Sequence, residues 1–183
     1  MSEYHDLSGE KKDQLLILTD KKGNKLGTDT RSNCHKGEGR THLAFIAFIL
    51  TPESEIILTK RSQNKSLWPH FWDASAISHV LPNETVVQAA NRRGKEELGL
   101  DVNFKDLGAF FYHEKHGGNS ENEYCHILVG RSNEHPDFNP VEIAEIKLMA
   151  FEDLKKEVKE NPDKYTPWLK LAINFQNLNE YVN

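Results

Sequence analysis

Apolar runs separated by polar turns dominate the first half of the chain. The longest run, HLAFIAFILT from His42, is rich in β-branched and aromatic residues and predicts a strand that is buried on both faces. Shorter apolar runs bounded by turn-forming residues predict further strands at 15–19, 56–61, 76–80, 102–113, 122–130 and 145–151. A polar, turn-rich segment is expected at 27–39 and a long loop at 62–75.

Three other segments carry helical signals. Asn83 is expected to cap a helix that starts near Glu84 and stops at Gly99. A short charged helix is predicted at 152–160 and an amphipathic closing helix at 166–177. Strands on both sides of a central helix, followed by terminal helices, indicate an α/β or α+β fold.

Size and composition limit the possibilities. A chain of 183 residues with 37% apolar residues suits one domain, predicted at 14–183, behind a flexible tail at 1–13. With a net charge of −5, the protein is not expected to have the basic surface that nucleic-acid binding requires. The two cysteines, Cys34 and Cys125, are too few for a disulfide framework. Without an apolar signal region or a membrane-length run, a cytoplasmic protein with no membrane partner is expected; oligomeric state stays open.

One stretch, SHVLPNETVVQAANRRGKEELGL at 78–100, has a more specific spacing. Six positions agree with the Nudix box, namely Glu84, Arg92, Glu96, Glu97, Gly99 and Leu100. The stretch therefore resembles the Nudix superfamily, in which a loop–helix–loop aims carboxylates at the divalent cations of a diphosphate. The resemblance implies the Nudix fold, a mixed β-sheet sandwiched between helices. Ser78, Arg93 and Gly94 depart from the box, which has Gly, Glu and an apolar residue at those positions.

Imidazoles and carboxylates outside the box form a second set. It contains His35, His42 and His79, together with Glu121 and Glu123, which the alternation of a strand places on one face. Such donors suit a transition metal such as Mn²⁺ or Zn²⁺ better than Ca²⁺. The spacing alone leaves open that these are ordinary surface or core residues, because the chain contains nine histidines.

Over roughly residues 15–170 the chain resembles the type I isopentenyl-diphosphate isomerase branch of the Nudix superfamily. The matching segments include Arg40-Thr41-His42-Leu43-Ala44-Phe45, Thr59-Lys60-Arg61, Trp68-Pro69, Glu121-Asn122-Glu123-Tyr124-Cys125 and Thr166-Pro167-Trp168. The resemblance implies one metal ion at His35, His42, His79, Glu121 and Glu123. It further implies a Mg²⁺ at Glu97, a diphosphate grip at Arg31, Arg61 and Lys65, and an apolar wall at Trp168.

One departure from that branch changes the predicted reaction. The isomerases move a proton with a Cys and a Glu; the Glu corresponds to Glu123, but the Cys position holds Ile77, which cannot exchange a proton. Glu96 beside Glu97 restores the paired glutamates of Nudix hydrolases. The leading expectation is therefore a Mg²⁺- or Mn²⁺-dependent hydrolase of this branch that cleaves a small organic or nucleoside diphosphate, with Glu97, Glu96 and Glu123 as catalytic residues. The alternatives are an isopentenyl-diphosphate isomerase with an altered proton donor and a non-catalytic sensor of a phosphorylated ligand.

Overall fold

Nine strands form one mixed sheet in the part of the chain that the computed structural model describes, residues 11–182. The strands are β1 Leu15–Thr19, β2 Lys25–Thr30, β3 His42–Leu50, β4 Glu55–Arg61, β5 Trp72–Asp73, β6 Ala76–His79, β7 Lys105–His116, β8 Asn119–Arg131 and β9 Ile143–Ala150. The helices are α1 Arg31–His35, α2 Val86–Leu98, α3 Phe151–Glu160, α4 Pro167–Ala172 and α5 Gln176–Val182, with a 3₁₀ turn at Pro162–Lys164. Of the tail predicted at 1–13, residues 1–10 lie outside the described range.

Strand β3 is the centre of the sheet. Along one edge it pairs in parallel with β8, which in turn pairs with β7. On its other edge β6 runs antiparallel, and single pairs join β3 to β1 and β4 near its two ends. All nine residues of β3 are buried. The uninterrupted apolar run therefore predicted this strand correctly, because both of its faces and both of its edges are covered.

Helices cover both faces of the sheet. Alternate residues of β3 such as Phe45 and Ile49 pack with Ala89 of α2, and the intervening residues such as Ile46 belong to the core that contains Trp168 of α4. This division follows from the twofold alternation of side chains along a strand. The prediction of a mixed sheet sandwiched between helices is confirmed, and the second face is the one that carries the chemistry described below.

The start of α2 differs from the prediction. Thr85, not Asn83, is the N-cap: its hydroxyl accepts from the Gln88 amide while the Gln88 side chain accepts from the Thr85 amide. This reciprocal capping box satisfies two amides that the first helical turn leaves without partners. Asn83 instead lies in the preceding turn at φ 73°. The predicted end is correct, since Gly99 adopts the left-handed conformation at φ 69°.

Weak local signals explain the other differences. Strand β2 and helix α1 occupy the segment predicted to be a polar turn, and β5 interrupts the predicted loop at 62–75. β2 is a mostly exposed edge strand and β5 has only two residues, so neither shows an apolar period. The predicted closing helix at 166–177 is two helices, α4 and α5. None of the helices described is long and apolar enough to cross a membrane.

Candidate active site

Three neighbouring strands bring the predicted ligands together. In the register of the sheet, His42 on β3 is opposite Glu123 on parallel β8, and Ala44 is opposite His79 on β6. Because side chains two residues apart share a face, His42, His79, Glu121 and Glu123 all project on the Trp168 side of the sheet. Helix α1 adds His35, which is also buried.

Four of these residues form a group that can hold a metal ion. One ligand atom from each of His35, His42, His79 and Glu121 lies within 4.8 Å of the others. The Nδ1 atoms of His35 and His42 each lie 2.7 Å from a backbone carbonyl oxygen and donate to it. In the neutral imidazole, Nε2 then carries the lone pair, and it faces the centre of the four-residue group. These two Nε2 atoms and Oε2 of Glu121 lack well-directed hydrogen-bond partners among residues 11–182, although only 3.1 Å separates His35 from Glu121. Buried nitrogen and oxygen atoms without hydrogen-bond partners can instead bind a cation.

The electrostatics of the group favour neutral imidazoles at His42 and His79, but a charged pair between His35 and Glu121. Burial lowers the pKa of His35, yet the charge and the hydrogen bond of Glu121 outweigh burial, so the pKa of His35 is raised. Burial and the neighbouring His35 charge lower the pKa of His42 to about 4, and burial and Arg31 hold the pKa of His79 well below its usual range. For Glu121, burial raises the pKa, but the charge of His35 outweighs it and the pKa falls to about 2. Neutral imidazole and ionised carboxylate are the states that bind a metal ion, so His42, His79 and Glu121 are already in those states and His35 would lose its proton when the ion binds.

Glu123 lies between this group and a cavity. Its Oε1 is 3.4 Å from Nε2 of His42 and 3.2 Å from Nε2 of His79, and its Oε2 accepts a short hydrogen bond from the hydroxyl of Tyr112. Burial and the charge of Glu121 raise the pKa of Glu123 well above its ordinary value. Tyr112 has no signal in the sequence, because only the β7–β8 register places it opposite Glu123. The Glu123 carboxyl group, held by Tyr112, can therefore be protonated and can donate a proton into the cavity.

The cavity runs from this carboxyl group to a cluster of cations. Its walls are Arg31, Arg61, Lys65, Ile77, Ser78, His79, Arg93, Tyr112, Glu121, Glu123 and Trp168. Thus the three cations predicted to grip a diphosphate, and the predicted aromatic wall, do lie on one cavity. Ile77 projects from the same face of β6 as His79.

Two buried acids, Glu97 and Glu142, lie behind the cationic end, where they line an adjoining pocket that shares Arg61, Lys65 and Ile77 with the cavity. Lys65 forms a short ion pair with Glu142 and lies 3.9 Å from Glu97, while Arg93 pairs with Glu97 and lies 3.5 Å from Glu142. None of the four is more than 8% exposed. We call Arg61, Lys65, Arg93, Glu97 and Glu142 the basic end. Glu142 had no signal in the sequence, because it lies in an irregular stretch outside the predicted elements.

The two adjacent box glutamates, Glu96 and Glu97, lie in different environments. Glu97 is buried at the basic end, whereas Glu96 is 41% exposed at its side chain and pairs with Arg92 and Arg93. Among the described residues neither glutamate lines the cavity itself, but Glu97 lines the adjoining pocket and Glu96 does not. Nη1 of Arg31 lies 3.1 Å from Nδ1 of His79, so Arg31 contacts one of the four candidate metal ligands and also lines the cavity.

Comparison with known proteins agrees with this geometry. The profile of the NUDIX domain matches residues 40–169. An isopentenyl-diphosphate Δ-isomerase from Halorhodospira halophila is 32% identical, with 88% of this chain and 94% of that protein aligned. Isopentenyl-diphosphate Δ-isomerase 1 from Photorhabdus laumondii is 33% identical over 85% of this chain and 90% of that protein.

Solved structures show the same fold. The crystal structure of DR0079 from Deinococcus radiodurans superposes with a TM-score of 0.71 at 21% identity, covering 87% of this chain and 97% of that one. The MutT protein from Methanosarcina mazei Go1 gives a TM-score of 0.63 at 16% identity, covering 80% and 96%. At these identities the likeness concerns the fold alone.

The comparisons correct the predicted reaction. Hydrolysis was the leading expectation because Ile77 stands at the Cys position of the isomerases and because Glu96 and Glu97 restore the paired box glutamates. That expectation is wrong: the similar curated proteins are named isomerases. Glu96 lines neither the cavity nor the adjoining pocket, so the structure does not bring the second box glutamate to the site. The chain is an enzyme that belongs to the Nudix family, in its isopentenyl-diphosphate isomerase-like branch.

Proposed function

We propose that this enzyme converts isopentenyl diphosphate into its allylic isomer, with Glu123 as the group that exchanges protons. The observation that carries the proposal is the position of Glu123. It is held by Tyr112 on a cavity that has a basic end for a diphosphate and an aromatic wall, Trp168. The names of the relatives given above support the same reaction.

The basic end would bind the diphosphate. Arg61, Arg93 and Lys65 would supply positive charge there. The N–H groups of Arg61 that do not donate to Leu67, Trp68 or Asp73 could also bond phosphate oxygens. Glu97 would hold a Mg²⁺ that accompanies the diphosphate, because carboxylate oxygen is a preferred ligand of this ion. Lys65 and Arg93 already neutralise Glu97 and Glu142, so the phosphate and its cation would enter a set of charges that is nearly balanced.

A second ion, Mn²⁺ or Zn²⁺, would be held by His35, His42, His79, Glu121 and Glu123. When bound it would supply positive charge that orders the two carboxylates and sets the acidity of Glu123. The residues fit such an ion, because ligand atoms of His35, His42, His79 and Glu121 converge and Oε1 of Glu123 lies beside two of them. Hydrogen bonds from Nδ1 of His35 and of His42 to backbone carbonyls fix those two rings.

Proton transfer would then take place on one face of the substrate. The Glu123 carboxyl group donates a proton to the terminal alkene carbon C4, and the positive charge that forms at C3 lies in a cavity walled by Trp168. The Glu123 carboxylate next accepts a proton from C2, and the electrons of that C–H bond form the C2–C3 double bond. Since Ile77 cannot act from its wall of the cavity, one carboxyl group performs both transfers.

The test is proton NMR of isopentenyl diphosphate incubated with the enzyme in D₂O with Mg²⁺ and Mn²⁺. We expect the allylic diphosphate to appear together with deuterium at C2 and C4. The Glu123→Gln variant keeps the size of the side chain and should show neither. If the unmodified enzyme binds isopentenyl diphosphate but produces no allylic isomer and no exchange, the proposal is refuted.

A further inference from the structure

Asp73, at the end of β5, is a buried acid directly behind the aromatic wall of the cavity. It is 0% exposed. The indole Nε1–H of Trp168 donates to both of its carboxylate oxygens, at 2.9 and 3.0 Å. The hydroxyl of Thr166 and the amide of Ala74 donate to the same carboxylate, each at 2.9 Å. Three groups therefore fix the carboxylate, and the carboxylate fixes the Trp168 ring.

The same carboxylate also contacts the basic end. Nη1 of Arg61 lies 3.4 Å from Oδ2 of Asp73, and the Arg61 guanidinium carbon lies 5.3 Å from the centre of the Trp168 ring. Other N–H groups of Arg61 donate to the carbonyls of Leu67 and Trp68, at 2.8 to 3.1 Å. Asp73 is thus the acid that joins the cation at the basic end to the aromatic wall.

This arrangement has an electrostatic consequence for the cavity. The face of an indole ring attracts a cation, but a guanidinium 5.3 Å from the ring opposes a second positive charge nearby. A carboxylate bound to the indole N–H adds negative charge at the ring edge and offsets the guanidinium. Asp73 and Trp168 are both buried, so their charges and dipoles act in a low dielectric and have a larger effect than at a surface.

We propose that Asp73 is a positioning residue that makes the Trp168 wall favour a positively charged group in the cavity, while Arg61 beside it serves the diphosphate. The proposal rests on the proposed function, in which such a charge develops at C3 of the substrate. Orienting an indole N–H requires only a neutral acceptor, whereas a buried carboxylate carries a desolvation penalty. The pKa of Asp73, which burial raises to about 6 against the influence of Arg61, leaves it ionised above that pH.

Two diphosphates of equal size separate the charge effect from the shape of the site. One is 2-(dimethylamino)ethyl diphosphate, which carries a tertiary ammonium where the substrate would carry the positive charge. The other is 3-methylbutyl diphosphate, which is neutral at that end. Their dissociation constants are measured by calorimetry with Mg²⁺ for the unmodified enzyme, Asp73→Asn and Thr166→Val, and the ratio of the two constants is the cation preference.

We expect the unmodified enzyme to prefer the ammonium ligand. Asp73→Asn should lower this preference by roughly two- to thirtyfold, the range of a cation–π interaction, while the affinity for the neutral ligand changes less. Thr166→Val removes one hydrogen bond to Asp73 but keeps its charge, so its preference should stay close to that of the unmodified enzyme. Asp73→Ser supplies a second neutral variant in case Asp73→Asn does not fold.

The outcomes separate this proposal from the proposed function. If the neutral variants weaken both ligands by the same factor, Asp73 is only structural and the proposal is overturned. The same conclusion follows if the unmodified enzyme shows no preference for the ammonium ligand. A cation preference that depends on Asp73, found in an enzyme that does not isomerise isopentenyl diphosphate, would support the role of Asp73 and refute the proposed reaction instead.

Discussion

Replacing Asp73 by Asn should stabilise the fold at neutral pH. Asp73 is fully buried, and burial raises its pKa from 3.8 to about 6, although Arg61 and Thr166 act in the opposite direction. A rise of about two pKa units means that folding disfavours the ionised form by about 3 kcal/mol relative to the protonated form. The Asn amide keeps one acceptor oxygen for Trp168, Thr166 and Ala74, but its NH2 group replaces the oxygen that faces Arg61, which costs part of this gain. We therefore expect a net gain of about 1–2 kcal/mol.

The stability difference between Asp73→Asn and the unmodified protein should depend on pH. Because the folded-state pKa is raised, the ionisation penalty is absent below the unfolded-state pKa, grows as pH rises and is complete above a pH of about 6. The stability advantage of Asp73→Asn should therefore increase between about pH 4 and pH 6 and then stay constant. For a chain of this size, 1–2 kcal/mol corresponds to an increase of about 2–8 °C in Tm.

The assay is thermal and urea unfolding of both metal-free proteins across this pH range. Asp101→Asn is the matched control, since Asp101 is 69% exposed at its side chain and forms a surface pair with Lys95. Such a pair contributes little, so the control should change stability by less than about 1 kcal/mol at every pH. An Asp73→Asn variant that is less stable than the unmodified protein at about pH 8, or whose difference does not vary with pH, would show that the reasoning about burial is wrong.

Three further changes test the site. His42→Ala should remove the transition metal from protein purified without chelator, as measured by elemental analysis, because His42 supplies a buried lone pair at the centre of the group; equal metal content would contradict this. Glu97→Gln should abolish nearly all turnover at saturating Mg²⁺ while the circular dichroism spectrum stays unchanged, since a neutral amide is a poor ligand for this ion, and undiminished turnover would show that Glu97 is not needed. Ile77→Cys should raise isomerisation by roughly a hundred- to ten-thousandfold by adding a proton-exchanging group to the cavity wall, at a loss of about 1–3 kcal/mol of stability. No gain from this variant, measured below the Tm of both forms, would mean that the wall at Ile77 does not face the reacting carbons.

The reaction is the point at which reasoning from sequence failed. A hydrolase was expected because Ile77 stands at the Cys position of the isomerases and because the box residues Glu96 and Glu97 are adjacent in the chain. In the folded protein their environments differ: Glu97 is 5% exposed at the basic end, whereas the Glu96 side chain is 41% exposed and pairs with arginines of its own helix. Successive helical residues point about 100° apart, so the sequence could not decide which of them reaches a cavity.

Local patterns were sufficient for the family and for most of the fold. The apolar run at β3, the left-handed end of α2 at Gly99 and the ion pairs from Arg92 to Glu96 and from Arg93 to Glu97 involve residues that are close in the chain. Such features can be predicted from a contiguous stretch of sequence, because helix ends, pairs of residues four apart and buried strands depend on short-range sequence.

The cavity depended on contacts between distant segments. Alternation placed Glu121 and Glu123 on one face of a strand, but only the registers of β3 with β6 and β8 set that face against His42 and His79. The partners that complete the site come from other distant segments, and no short-range pattern marks them; they are Tyr112 beside Glu123, Glu142 beside Lys65, and Asp73 behind Trp168. Sequence therefore determined which residue types could bind a metal and a diphosphate, while strand register and side-chain burial decided which of them meet and which remain at the surface.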